Sequence, residues 1–205
     1  MNPTAQLRCR CGQVAGRVRD VSPRTLNRVV CLCDDCQAFA HHLGRSDVLD
    51  AHGGSDIVQV APDTFTIDRG QDQIACLRLS EKGPYRFYSR CCRQPLGNTV
   101  GPVFPFIGIV ISAFSVEGQS LDSLFGKPMA SIYGNFAVGQ APPGSTGFPF
   151  RLMARSLRMV LGWKLGGHAW PHPFFDRTSA KPICPVEILP SEARAALRPL
   201  CGPRP

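Results

Sequence analysis

Cys31-Leu32-Cys33-Asp34-Asp35-Cys36 places three thiols within six positions of a chain that holds 10 cysteines among 205 residues. In the C-x-C half, strand alternation puts Cys31 and Cys33 on one face. In the C-x-x-C half, a turn returns Cys36 towards Cys33. All three sulfurs then reach one tetrahedral zinc at about 2.3 Å with a fourth position open, the ligand count of catalytic rather than closed structural sites. The rival reading of C-x-x-C is a thiol-redox pair, but redox motifs seldom carry a third thiol two residues upstream.

Arg28 to Leu32 reads as the strand that delivers this cluster, and Cys36 to Leu43 as a short helix leaving it. Asp34 or Asp35 is expected to cap that helix, and Gly44 to end it. Cys36 then lies in the first helical turn, where free N–H groups and the dipole favour a thiolate. Gln37 and His41 are four apart and share a helix face, which makes them candidates to line the metal's mouth; the plainer reading is that both face solvent.

Upstream, Cys9-Arg10-Cys11-Gly12 is a second C-x-C, closed by a glycine able to take φ > 0 beneath a metal knuckle. Val14, Gly16 and Val18 alternate with polar neighbours as a half-buried strand. From Gly53 onward the pattern is a run of hairpins. Phe65 and Ile67 lead to a turn at Arg69-Gly70. Ile74 to Leu79 is followed by a turn at Lys82-Gly83-Pro84, and Tyr85 to Tyr88 returns and delivers Cys91-Cys92. Cys76, alone in an apolar strand, reads as core. Gly97-Asn98 reads as a further turn, and Val103 to Phe114 as containing at least one buried strand.

With Cys76 set aside, Cys9, Cys11, Cys91 and Cys92 remain in the β-rich part. They can make one closed, structural four-thiolate zinc site, so that seven cysteines divide as three plus four and the chain holds two zinc ions. Such a site closes a loop of about eighty residues, a sensible staple for a sheet-rich domain. Neighbouring strand residues point to opposite faces, so Cys91 and Cys92 both bind one ion only from an irregular turn.

Length and composition fit one domain with an extension. Glycine (20) and proline (19) are frequent and spread throughout, which favours short strands and many turns. The N-terminus has no apolar h-region, and the longest apolar run is about half a membrane span. Those features, with thiols read as ligands or core rather than disulfides, lead to the expectation of a cytoplasmic protein without a membrane span. A net charge of +8 suits an anionic partner such as nucleic acid, phosphate or a carboxylate-bearing thiol, or merely a solvated basic surface.

The last third changes character. A Gly/Pro/Ser-rich loop at 139–147 precedes a helix over about 150–165, stopped by Gly166-Gly167. Its expected core-facing stripe is Leu152, Met153, Leu157, Val160 and Leu161, with Arg151, Arg155 and Arg158 in a row on another face, which could meet acidic lipid, nucleic acid or a carboxylate ligand or simply be the solvated side of a packed helix. A Pro-rich tail follows, with one short helical stretch at Glu192 to Leu197. The division expected is therefore a zinc-binding domain at 1–118 and an extension at 119–205 that packs on it.

The order C-x-C-G, C-x-C-x-x-C and a late cysteine hairpin resembles the glutathione-dependent formaldehyde-activating enzyme family, which includes the centromere protein V type, over roughly residues 7 to 115. The resemblance implies a mainly β fold, a β-tent of antiparallel sheets stapled by zinc. It implies a structural zinc at positions matching Cys9, Cys11 and Cys92, and a second zinc at Cys31, Cys33 and Cys36. Two departures mark a divergent subgroup. Ser89 stands where the late C-x-x-C has its first cysteine, with Cys91 available as substitute, and Gln37 stands where many members have arginine.

The function expected from the resemblance is a zinc-dependent carbon–sulfur lyase or synthase that joins a thiol such as glutathione to formaldehyde or another small aldehyde. Cys31, Cys33 and Cys36 would hold the zinc, Gln37 would line the cofactor's mouth, and His41 or a water would move the proton. A zinc with three thiolates is a poor Lewis acid, better suited to a substrate thiolate than to making hydroxide. The alternatives are a non-catalytic zinc module contacting nucleic acid or a protein through a basic face, and a thiol-redox or metal-handling protein.

Overall fold

The computed structural model describes residues 3–115, 118 and 120–203. Of the expected domain boundary at 118/119, position 119 lies outside the described residues. The strands are β1 (Ala5–Arg8), β2 (Ala15–Val18), β3 (Asn27–Cys31), β4 (Ser55–Val60), β5 (Phe65–Arg69) and β6 (Ile74–Arg78). They continue with β7 (Tyr85–Ser89), β8 (Pro95–Thr99), β9 (Ile107–Val110), β10 (Phe114–Ser115), β11 (Ser131–Ile132) and β12 (Val186–Ile188). The helices are α1 (Asp34–His42), α2 (Leu121–Phe125), α3 (Phe150–Leu165) and α4 (Ser191–Ala196).

The fold is mainly β. A four-stranded sheet runs β10-β1-β2-β5, and an eight-stranded sheet runs β11-β3-β4-β9-β8-β7-β6-β12. Neighbours within each sheet are antiparallel except at the two ends of the larger one, where β11 lies parallel to β3 and β12 parallel to β6. Both parallel strands come from the part of the chain after residue 120, so that segment is woven into the sheet's edges and covers what would be open backbone.

Alternation along the strands explains the packing. Leu7, Val14, Val18 and Phe65 from the small sheet meet Val58, Ile74, Phe87, Leu96 and Ile109 from the large one in a single cluster. Phe174, from the tail, completes it: its ring stacks on Phe87 with centroids 4.0 Å apart and meets Phe65 edge-on at 5.6 Å. Cys76 is buried in this core, as its apolar strand implies.

Two local expectations are corrected, and the buried strand expected within 103–114 is found at Ile107–Val110. Gly97-Asn98 is not a turn but the middle of β8, paired with Ile109 and Gly108. A Cβ on Gly97 would lie 3.1 Å from the Gly108 carbonyl oxygen, so glycine here serves close strand approach. In the apolar run from 103, only Ile107–Val110 forms the long strand, and Val103 and Phe104 are exposed. Finally, α1 begins at Asp34 with Cys33 as N-cap and no side-chain cap, because Asp34 and Asp35 are engaged elsewhere.

The largest correction concerns α3. Its bounds match the expectation, but the helix is rotated: Leu152 and Val160 of the expected stripe are covered and Arg151 and Arg158 are exposed as expected, while the rest changes places. Leu152 alone is fully buried, whereas Met153, Leu157 and Leu161 point to solvent. Arg155 turns inward, donating to Asn27 Oδ1 at 2.6 Å and to the carbonyls of Pro23 (2.7 Å) and Leu26 (3.1 Å). Ser156 Oγ accepts from Asn27 Nδ2. Four carbonyl-type acceptors at and just before the start of β3, counting the Arg24 carbonyl at 3.2 Å, need a cation more than an aliphatic chain, and that sets the helix's rotation. Arg155→Ala should therefore cost about 2 kcal/mol in urea unfolding of the metal-loaded protein. Arg158→Ala, on an exposed position, should change stability by less than about 0.5 kcal/mol. Equal effects would contradict this seating.

Candidate metal centre

Two groups of thiols come together. Cys9, Cys11, Cys91 and Cys92 form one, with all four sulfurs within 4.8 Å of one another; Cys31, Cys33 and Cys36 form the other on the same criterion.

The four-thiol group joins the β1–β2 turn to the β7–β8 turn. Gly12 takes φ +78° and its N–H donates to the Cys9 carbonyl, while the Val14 N–H points at Cys9 Sγ at 3.2 Å. A side chain at residue 12 would pay for that left-handed backbone, which is why glycine closes the knuckle. On the other side Cys91 and Cys92 lie in a turn, not a strand, and Arg93 takes φ +55°. That irregular turn allows adjacent thiols to face one point. Sulfur separations are 3.6 Å for Cys9–Cys11, 3.8 Å for Cys9–Cys91 and 3.2 Å for Cys11–Cys91. A tetrahedral ion with metal–sulfur bonds of about 2.3 Å requires about 3.8 Å, so the donor set fits a metal with little adjustment.

Ser89, at the position of the expected first cysteine, lies 3.3 Å from Cys92 Sγ. Burial pushes the Cys92 thiol up, but the Ser89 hydroxyl and a backbone hydrogen bond from Cys11 outweigh it and hold it at about 6. Ser89 thus supports a ligand, and Cys91 supplies the fourth sulfur.

The three-thiol group is built where β3 runs into α1. Cys31 ends the strand, pairing with Ser55 of β4 and Ile132 of β11. The Cys36 N–H closes the first helical turn on the Cys33 carbonyl at 3.0 Å. From β7, Arg86 reaches in: its Nη1 lies 3.8 Å from Cys36 Sγ, its Nη2 lies 3.4 Å from Asp35, and its guanidinium sits 5.6 Å from the Phe39 ring centre. Arg86 is buried. Hydrogen bonds from Cys31 and Cys33, and then the charge of Arg86, hold Cys36 well below the usual thiol range despite its burial. Cys31 moves well up, pushed chiefly by its hydrogen bonds with Cys33 and Cys36.

A small cavity borders Cys36, lined by Phe39, Ala40, Ser55, Arg86 and Asn98 among others, with room for about one water molecule. Among the described residues Arg86 Nε has no protein hydrogen-bond partner. Tyr133 stands close enough for the charge of Cys31, Cys33 and Cys36 to add to burial in raising its phenol. It is half exposed, holds φ +61°, and pairs edge-on with Phe148 at 6.5 Å between centroids. A left-handed tyrosine is uncommon and such strain concentrates at working sites.

Sequence reasoning missed Arg86 and Tyr133, and placed two residues differently. Gln37 does not line the mouth: it is fully buried, its Nε2 donating to the carbonyls of Leu32 (2.6 Å) and Phe136 (2.7 Å). Its Oε1 accepts from the Gly202 N–H at 2.9 Å. The amide is fully committed to joining three segments, which leaves nothing for a ligand. His41, five residues beyond Cys36, lies about 140° round α1 from it. The residues of that helix beside the cavity are Phe39 and Ala40.

The chain belongs to DUF6151, a family of unknown function. The family's profile matches residues 1–187, which takes in both thiol groups and Arg86. No curated protein matches the chain. Among solved structures, the crystal structure of a Rhodobacter sphaeroides protein aligns at 14% identity with a TM-score of 0.40, over 62% of this chain and 99% of that one. No helix among the described residues is long and apolar enough to cross a membrane.

The two groups should separate by mutation. The purified protein should hold two equivalents of divalent metal per chain by elemental analysis. Cys11→Ser should abolish folding, since a structural thiolate site is worth on the order of 10 kcal/mol. Cys91→Ser and Cys92→Ser should do comparable damage to each other. Cys36→Ser should leave the circular dichroism spectrum unchanged and remove one equivalent. A folded Cys11→Ser protein, or an unfolded Cys36→Ser one, would reverse the assignment.

Proposed function

We propose that the protein is a zinc enzyme of carbon–sulfur bond chemistry, which adds a thiol to a small aldehyde or releases it. The observation that carries this reading is the unequal pair of thiol groups: four sulfurs in one, and three in the other beside a buried, incompletely bonded guanidinium. The first fits a structural zinc, which together with the two-sheet fold agrees with the β-tent that the resemblance to the glutathione-dependent formaldehyde-activating family implies. The second has the ligand count of an open site. Zinc held there would supply a soft centre that keeps an incoming thiol deprotonated at neutral pH.

The chain's own residues account for the remaining chemistry. In the addition, the thiol sulfur bonds to the carbonyl carbon, the C=O π pair moves to oxygen, and the proton lost by the thiol ends on that oxygen. Arg86, beside Cys36, offers an unused Nε–H to the developing alkoxide, an oxyanion donor already in place before reaction. Many members of the resembled family carry arginine where Gln37 stands; here a guanidinium reaches the thiols from β7 instead. A cavity with room for about one water favours the smallest aldehydes, formaldehyde above all. Tyr133 and Phe148 form an exposed aromatic edge on which the rest of a peptide-like thiol such as glutathione can rest. No role remains for His41 in proton transfer, so water carries that proton.

The alternative, a non-catalytic zinc module contacting nucleic acid or a protein through a basic face, is the less favoured reading: Arg155 is tied to Asn27 and neighbouring carbonyls, which leaves Arg151 and Arg158 as the exposed arginines of the row.

The test is exchange spectroscopy with 13C-formaldehyde and glutathione, in which free hydrate and S-hydroxymethyl adduct interconvert at equilibrium. The metal-loaded protein should accelerate exchange at least about tenfold over buffer. Arg86→Met should remove most of the acceleration, through loss of an oxyanion donor, while metal content stays at two. No acceleration with glutathione, cysteine or a small alkyl thiol would refute the enzyme.

A further inference from the structure

The inward rotation of Arg155 leaves α3 with a second apolar face. Phe150, Met153, Leu157, Leu161 and Leu165 are 76%, 49%, 68%, 52% and 80% exposed. Spaced by three, then four, four and four, they form one line along a 16-residue helix, about 24 Å long. The opposite flank, with Leu152 buried and Met159 and Trp163 half-buried, already seats the helix on the protein. The outer line is therefore a surplus, larger than the scattered exposed apolar residues of an ordinary surface.

Its surroundings are basic. α3 carries Arg151, Arg155, Arg158 and Lys164 and no acidic residue. Arg151 and Arg158 lie along one edge of the apolar line, and Lys164 along the other. Beside the Arg158 edge runs an open groove lined by Arg24, Arg155, Arg158 and Trp163. From this juxtaposition we infer that α3 docks the protein on an anionic lipid bilayer: the five apolar side chains enter the headgroup–acyl boundary while lipid phosphates meet Arg24, Arg151 and Arg158. An amphipathic helix with a basic polar margin lies in the interface plane in this way.

Charge decides among the occupants. A second copy laid against the same face would bring two acid-free helices together, each with three exposed cations, Arg151, Arg158 and Lys164. A nucleic acid would satisfy the arginines and leave five apolar side chains against phosphate and water. An anionic bilayer meets both demands, and the protein's net charge of +8 adds to the attraction. The helix cannot span the bilayer, so the association is peripheral and reversible.

The experiment is flotation of the full-length, metal-loaded protein with large unilamellar vesicles, either phosphatidylcholine alone or with 30% phosphatidylglycerol by design. Partitioning into the anionic vesicles should exceed that into neutral ones at least about tenfold. It should fall strongly between 0.1 and 0.5 M salt by design, since screening shortens the reach of surface charge. Arg151→Gln with Arg158→Gln should lower it about 25-fold, at about fivefold per basic residue. Leu157→Gln with Leu161→Gln should lower it at least tenfold with two equivalents of metal retained. Equal binding to both vesicles, or none to either by folded protein, overturns the inference. So does a dimer in sedimentation that the leucine variants dissolve without vesicle binding, which assigns the face to a second copy. Salt-sensitive binding to nucleic acid that ignores the leucine changes, with no vesicle binding, overturns it equally.

Discussion

Three thiols within 4.8 Å of one another cannot all ionise without an opposing charge, and the fold supplies only part of it. At about 4 Å and an effective dielectric near 20, each pair of like charges costs about 4 kcal/mol. Arg86, buried beside Cys36 and tied to Asp35, offsets one such charge and favours one thiolate of the three. Full ionisation of the group requires a cation among the sulfurs. The three thiols could thus hold a metal ion, and the same guanidinium keeps a donor without a protein partner.

Much of the architecture serves to hold that arrangement. Arg86 and Ser89 both lie on β7, so one strand carries the guanidinium beside Cys36 and the hydroxyl beside Cys92, and it runs directly into the turn that holds Cys91 and Cys92. The N-terminal end of α1 is clamped from the far end of the sequence: Asp34 accepts from Arg194 at 2.5 Å and from Arg198 at 3.0 Å, and Gln37 binds the Gly202 N–H. Asp34 is buried, and an unbalanced carboxylate there would be costly, so Arg194 of α4 and Arg198 just beyond it belong to the site's support rather than to its chemistry. Phe174 plays the equivalent part in the core, filling the space between Phe87 and Phe65.

The parts legible in the sequence were those fixed by short spacing. C-x-C with C-x-x-C, and C-x-C-G with a late cysteine pair, are brought together as their spacing implies, and strand alternation marked β2, β5, β6 and β7. Arg86 was not legible, because one arginine in a strand gives no sign of which long-range neighbour it meets. Gln37 and His41 do share a helix face, but helical spacing alone does not say whether that face meets the thiols or the C-terminal chain. In α3 both flanks are apolar, and only the carbonyls awaiting Arg155 decide which one turns inward. The strands β11 and β12, of two and three residues, exist because the larger sheet offers them an edge.

The central claim is that one thiol group is a closed metal site and the other an open one that accepts a thiol. X-ray absorption at the zinc edge tests it directly. Protein loaded with two zinc ions should give an average of about 3.5 sulfurs per zinc at about 2.3 Å, with the remainder a lighter atom. Adding glutathione should raise the average to about four. An average that stays at 3.5 in saturating thiol, or that already stands at four before thiol is added, would contradict the account.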